Sequence, residues 1–156
     1  MWVIIVAIIW ASASVAQQER FKDNGDGTVT DRLLGVMWAQ SDNQGDVTWR
    51  DAQYYCRMGP PQILGKYDNW RMPTLEELRS LYTGRRRDAA GYETPCGQHI
   101  NIYPQISLSC GWVWSSEAAG ITAYVFNFQR GYHFSVRKVQ KRHYRALPVR
   151  DLEPPR

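Results

Sequence analysis

Apolar residues recur with two different periods along this chain, and the changes of period divide it into elements. In VTWRDAQYYCRMGPP, Trp49, Ala52, Tyr55 and Cys56 share one face at helical spacing. Thr48 caps this helix, Asp51 completes a box-like start, and Gly59, Pro60 and Pro61 end it. DNWRMPTLEELRSLY follows the same logic. Thr74 is an N-cap with Glu77 three residues on, Pro73 can pack on Leu78 as a hydrophobic staple, and Leu75, Leu78, Leu81 and Tyr82 form the apolar stripe. Gly84 suits a left-handed C-terminal cap.

Elsewhere the period is two. Asn24-Gly25-Asp26-Gly27 lies between two short extended runs and predicts a hairpin, and Val36-Met37-Trp38-Ala39 predicts a strand. In the last third GWVWSS is strand-like, and TAYVFNF places Tyr124, Phe126 and Phe128 on one face. Gln129-Arg130-Gly131 turns the chain, YHFSV repeats the alternation with Tyr132, Phe134 and Val136, and HYRALPVR is expected to close the sheet. From Ala89 to Ser109 the pattern is irregular, with isolated Ile and Tyr. Helices early and antiparallel strands late predict an α+β fold, two helices on a small antiparallel sheet, within a single domain over 17–156.

The first sixteen residues, MWVIIVAIIWASASVA, differ from the rest. Their apolar run and the small residues before Gln17 predict a signal peptide over 1–16 rather than the rival reading, an uncleaved membrane anchor, because the run is short of the ~20 residues a span needs; cleavage then leaves no membrane span. A secreted or periplasmic location follows. All charged side chains lie beyond Ala16, so the mature chain keeps the net charge of +4. That balance is too modest to imply a nucleic-acid partner. The three cysteines leave an odd count. Cys96 and Cys110 flank a loop and are expected to form a disulfide, while Cys56 falls inside a helix as a buried thiol. No metal or cofactor is expected, because there is no C-x-x-C and His99, His133 and His143 are scattered. The NGDG segment is not a calcium loop: Lys22 stands where the first carboxylate is required, and no glutamate ends the loop.

In order, NGDGTVTD, LGVMW, TWRDAQYYC, DNWRMPTLEELRSLY, WVWSS and YRALPVR resemble the successive motifs of the Lcl C-terminal domain family, over about Phe21 to Arg150. That family is named for a bacterial collagen-like surface adhesin. The Trp-Arg-x-Pro-Thr helix start and the closing Val-Arg are also similar to those of the formylglycine-generating enzyme superfamily. The resemblance implies a C-type lectin-like fold with neighbouring termini and a long irregular segment on the ligand side. It also implies that Trp70 anchors the loop on the sheet and that Arg71 ties loop carbonyls or a carboxylate. The first-helix cysteine of such domains commonly pairs with the last strand, but Pro148 stands there, so Cys56 has no such partner. The calcium-dependent sugar-binding signatures of true lectins are absent.

Function is expected to be binding. Arg85, Arg86 and Arg87 are contiguous, and Lys138, Lys141 and Arg142, with His143 and Arg145 beside them, form a second basic cluster between the last two strands. Together they offer cations to a sulfated or otherwise anionic glycan, the ligand class to which the adhesin resemblance points. The alternative is a structural subunit of a bacterial envelope or surface assembly, held by an envelope protein. Catalysis is not expected, since formylglycine-generating chemistry needs two nearby reactive cysteines and no Ser/His/Asp or paired-carboxylate constellation is present.

Overall fold

A computed structural model describes residues 20–84 and 91–152; the expected signal peptide and Arg85, Arg86 and Arg87 lie outside the described residues. The predicted hairpin is present, with β1 (Phe21–Asp23) antiparallel to β2 (Thr28–Asp31). Its turn is held by its own carboxylates. Asp23 accepts from Gly25 N and Gln40 Nε2, and Asp26 accepts from the backbone and hydroxyl of Thr28, from Lys66 Nζ and from the Tyr67 hydroxyl. Every oxygen of both groups thus meets a protein donor, which is turn chemistry. The bond from Lys66, reinforced by Thr28 and Tyr67, holds the Asp26 carboxyl well below the usual range.

β3 (Val36–Ala39) pairs with β2 and, on its other side, with β10 (Val149–Asp151), giving a sheet of order β1-β2-β3-β10. A second sheet, β8-β7-β6-β9, contains β6 (Trp112–Ala119), β7 (Thr122–Asn127), β8 (Tyr132–Arg137) and β9 (Tyr144–Arg145). HYRALPVR therefore does not close one sheet. Its first half lies parallel to β6, its second half crosses to β3 in the first sheet, and Pro148, which has no N–H for a ladder, marks the change.

Helix α1 (Trp49–Met58) has the predicted capping box of Thr48 and Asp51. It packs Ala52 and Cys56 into a cluster with Trp114, Val125 and Tyr144 on one face of the second sheet. Helix α2 (Leu75–Leu81) has the predicted box of Thr74 and Glu77, and Glu117 also accepts from Leu75 N. Its Leu78 and Leu81 enter the main core with Val113, Phe126 and Phe128 from the second sheet and Val29, Val36 and Trp38 from the first. The helix ends before Gly84. Tyr82 is already extended and bridges Ile102, while Tyr103 N takes the carbonyl of Leu81. The neighbouring segment, not a glycine cap, stops it.

That segment is less irregular than its sequence. It carries a short ribbon of β4 (Tyr92–Glu93) and β5 (His99–Ile100), and Ile100, Ile102, Ile106 and Leu108 are all buried in the main core. Among the described residues no helix is long and apolar enough to cross a membrane.

Gly131 turns β7 into β8 at φ 78°, its N–H donating to Asn127 O at 2.8 Å. A Cβ there would run into the ring of Tyr82, which rests edge-on against Phe126. Gly131→Ala is expected to lower stability by about 1–3 kcal/mol, as forced packing does. Urea unfolding measures it, and an unchanged midpoint would mean that Tyr82 is not held against this turn.

Candidate functional site

The Trp70-Arg71 pair precedes α2, and both side chains face inward partners. Trp70 is 5 % exposed and packs with Met37, Ile63 and Tyr67. Arg71 exchanges both backbone hydrogen bonds with Val149, which fixes where its side chain starts. Its guanidinium donates to both carboxylate oxygens of Glu77 (2.9 and 2.7 Å) and to Asp151 Oδ1 (2.8 Å). One planar fork thus joins the N-terminus of α2 to β10, a geometry the point charge of lysine does not supply. Glu77, and after it Asp151, hold the guanidinium even more firmly in its charged form.

Lys138, Lys141 and Arg142 lie on the connection from β8 to β9, on the side of the second sheet that carries α1. Lys138 Nζ sits 4.5 Å over the ring of Trp49, and its carbonyl accepts from Trp49 N at 3.0 Å. Lys141 and Arg142 are exposed, and Arg142 Nε donates to His143 Nε2 at 3.3 Å. An aromatic strip runs up to them. Tyr132, 48 % exposed, contacts Phe134 at 6.0 Å. Phe134 meets Trp112 edge-on at 5.8 Å, and Trp112 meets His143 at 6.3 Å. Trp112 is only partly buried, yet its Nε1 is enclosed and has no hydrogen-bond partner among the described residues. Trp38 and Trp114 are wholly buried, as strand tryptophans of a core should be.

Arg145 does not belong with the exposed cations. It is 6 % exposed, and its guanidinium donates to Asp46 Oδ1 at 2.6 Å and to Ser109 Oγ at 2.7 Å. Ser109 in turn donates its N–H and hydroxyl to Asp42, which is 2 % exposed. The two carboxylates respond oppositely. Arg145 beside Asp46 holds that carboxyl below the usual range, whereas burial pushes Asp42 up despite its donors, because Arg145 is 3.9 Å from it and acts through the serine. Sequence reading grouped Arg145 with the solvated cations. The available signal was the pair of acids in SDNQGD together with the apolar neighbours of Arg145 in YRALPV.

Cys96 and Cys110 are bonded, as expected, with Cα atoms 5.4 Å apart. Cys56 is a free thiol, fully buried, and burial alone pushes it far above its ordinary pKa. The histidines are not all scattered: His143 Nδ1 lies 3.5 Å from Cys110 Sγ. Its backbone is left-handed at φ 68°, and its N–H donates to Asp46 Oδ1 at 3.1 Å. The strip, the exposed cations, the disulfide and the buried Arg145 network thus converge around one end of β6 and β9.

The family model for the Lcl C-terminal domain matches residues 27–150 of the chain. No curated protein compared with the chain matches it.

Proposed function

The chain belongs to the Lcl C-terminal domain family, and on that premise we propose that it is an exported, non-catalytic binding module of C-type lectin-like fold for a sulfated or otherwise anionic glycan. The observation that carries this reading is the junction of the Tyr132–Phe134–Trp112 strip with the exposed Lys141 and Arg142. Aromatic faces suit the apolar face of a sugar ring, and clustered cations suit its sulfates or carboxylates. Lys138 is held on Trp49 and contributes charge from a fixed place. Arg85, Arg86 and Arg87 complete the proposed cation set.

The cysteines favour binding over formylglycine-generating chemistry. Two of them are bonded to each other, and the third is buried and firmly protonated, so the oxidised chain presents no pair of free thiols. A disulfide also suits an oxidising compartment.

Retention on a heparin column under a salt gradient tests the proposal. Wild type is expected to be retained and to elute as salt rises, because the Debye length falls from ~10 Å at 0.1 M to ~3 Å at 1 M. Lys141→Glu/Arg142→Glu, and separately glutamate at Arg85, Arg86 and Arg87, should elute earlier with stability changed by no more than ~0.5 kcal/mol. Coelution of all three proteins at low salt would sink the glycan reading and favour a subunit of an envelope assembly.

A further inference from the structure

The two sulfurs of the disulfide sit in unlike surroundings. Cys96 is half-buried between exposed Pro95 and Gly97, whereas Cys110 is wholly buried. A reagent from solvent therefore meets Cys96 first. Behind it, Cys110 Sγ faces His143 Nδ1 at 3.5 Å. Arg142 Nε donates to the other ring nitrogen, Nε2, which accepts in that contact, and this leaves Nδ1 as the ring N–H that faces the buried sulfur. The ring is held there from several sides. Its backbone is pinned by Asp46, Asp46 is gripped by Arg145, and Trp112 stands edge-on to it.

We propose that Cys96–Cys110 is a thiol–disulfide exchange site for a small thiol, with Cys96 as the attacked sulfur, Cys110 as the leaving sulfur and His143 as the positioning donor for the leaving charge. The thiolate of the small thiol forms a new S–S bond to Cys96 Sγ. The Cys96–Cys110 bond breaks, and its electron pair goes to Cys110 Sγ. Cys110 leaves as a thiolate held by the Nδ1–H of His143 and later takes a proton from water. The small thiol is oxidised to the mixed disulfide, and Cys110 is reduced. A leaving thiol departs faster as its anion is better stabilised, and the neighbouring ring of His143, 3.5 Å from Cys110 Sγ, provides that stabilisation.

The loop is built to survive the opening. Thr94 and Gln98 close its turn through Thr94 N→Gln98 O (2.9 Å), Thr94 Oγ1→Gln98 O (2.9 Å) and Gly97 N→Thr94 O (2.9 Å). Cys96 N donates to Ser109 O at 3.2 Å, and Gly111 N donates to Gln98 Oε1 at 2.9 Å. None of these bonds needs the disulfide. Both cysteines therefore stay opposite each other after reaction, and Cys110 can expel the small thiol again.

The test is incubation of the oxidised protein with reduced glutathione under native conditions, quenched by acid and alkylation, with peptide mass mapping over time. The adduct is expected on Cys96 with Cys110 alkylated. An adduct on Cys110, or no adduct while the protein stays folded, overturns the proposal. His143→Gly keeps the left-handed backbone and its N–H but removes the ring. It should slow adduct formation about tenfold, as loss of one hydrogen bond to a charged group does, while His99→Ala, in β5 beyond the cysteine turn, leaves the rate unchanged. Equal rates for His143→Gly and wild type, with matching urea midpoints, would remove His143 from the mechanism. The adduct position in wild type decides the attacked sulfur even if the glycine variant folds poorly.

Discussion

Trp70→Ala is expected to lower the free energy of unfolding by about 3–5 kcal/mol, the range for removing a large buried aromatic side chain. Trp70 closes a small satellite core rather than the main one. Met37 of β3, Ile63 of the short 3-10 turn and Tyr67 meet on its ring, and Tyr67 stands edge-on at 6.4 Å. Gly59, the C-cap of α1, lies so close that an added Cβ would sit 2.5 Å from the indole. The backbone on that side cannot collapse far into the hole that alanine would leave, so the cavity cost is retained. Denaturant unfolding reads the loss, and heparin retention of the folded variant should match wild type. A variant of native stability that has lost retention would instead make Trp70 a ligand residue.

The second large effect is expected at Arg145. Its guanidinium is the cation beneath Asp42 and Asp46, and Asp42 is almost without solvent. Arg145→Ala strands the buried carboxylate and should cost about 3–5 kcal/mol. Arg145→Lys keeps the charge but not the fork, and one ammonium cannot reproduce both the Asp46 and Ser109 bonds in place, so most of the loss should remain. Unfolding of the two variants side by side checks this. Full stability in the lysine variant would mean that charge alone, not the geometry through Ser109, holds the network.

Both helices, the first hairpin and the disulfide were legible in the sequence because each is written in a few neighbouring residues. Thr48 with Asp51 and Thr74 with Glu77 name their caps at a fixed offset, and NGDG names its turn. What was illegible depends on distant partners. Nothing near Val149 says that it pairs with Trp38, and two residues of β9 are too few to show whether they run parallel or antiparallel to β6. The run from Ile100 to Leu108 reads as loop because its apolar residues are sparse, yet each one reaches the core. The site was half legible. Lys138, Lys141 and Arg142 do share one connection, but charge in a sequence does not reveal depth, so Arg145 looked like their neighbour when it is buried beneath them. The aromatic strip and His143 against the disulfide arise only when β6, β8 and β9 are laid side by side.

The pairing of β10 with β3 also sets the order in which the chain can finish folding. A ribosome delivers Val36-Met37-Trp38-Ala39 early, and the hairpin can form on one side of it at once. The other side waits, because the strand that covers it, Val149–Asp151, comes from the far end of the described chain. Until then an apolar strand shows a bare row of backbone donors and acceptors, which is a template for pairing with another nascent chain. Holding that edge apart from its neighbours is therefore a task for whatever escorts the unfinished polypeptide, and a chain truncated just before β10 should emerge sticky rather than merely less stable.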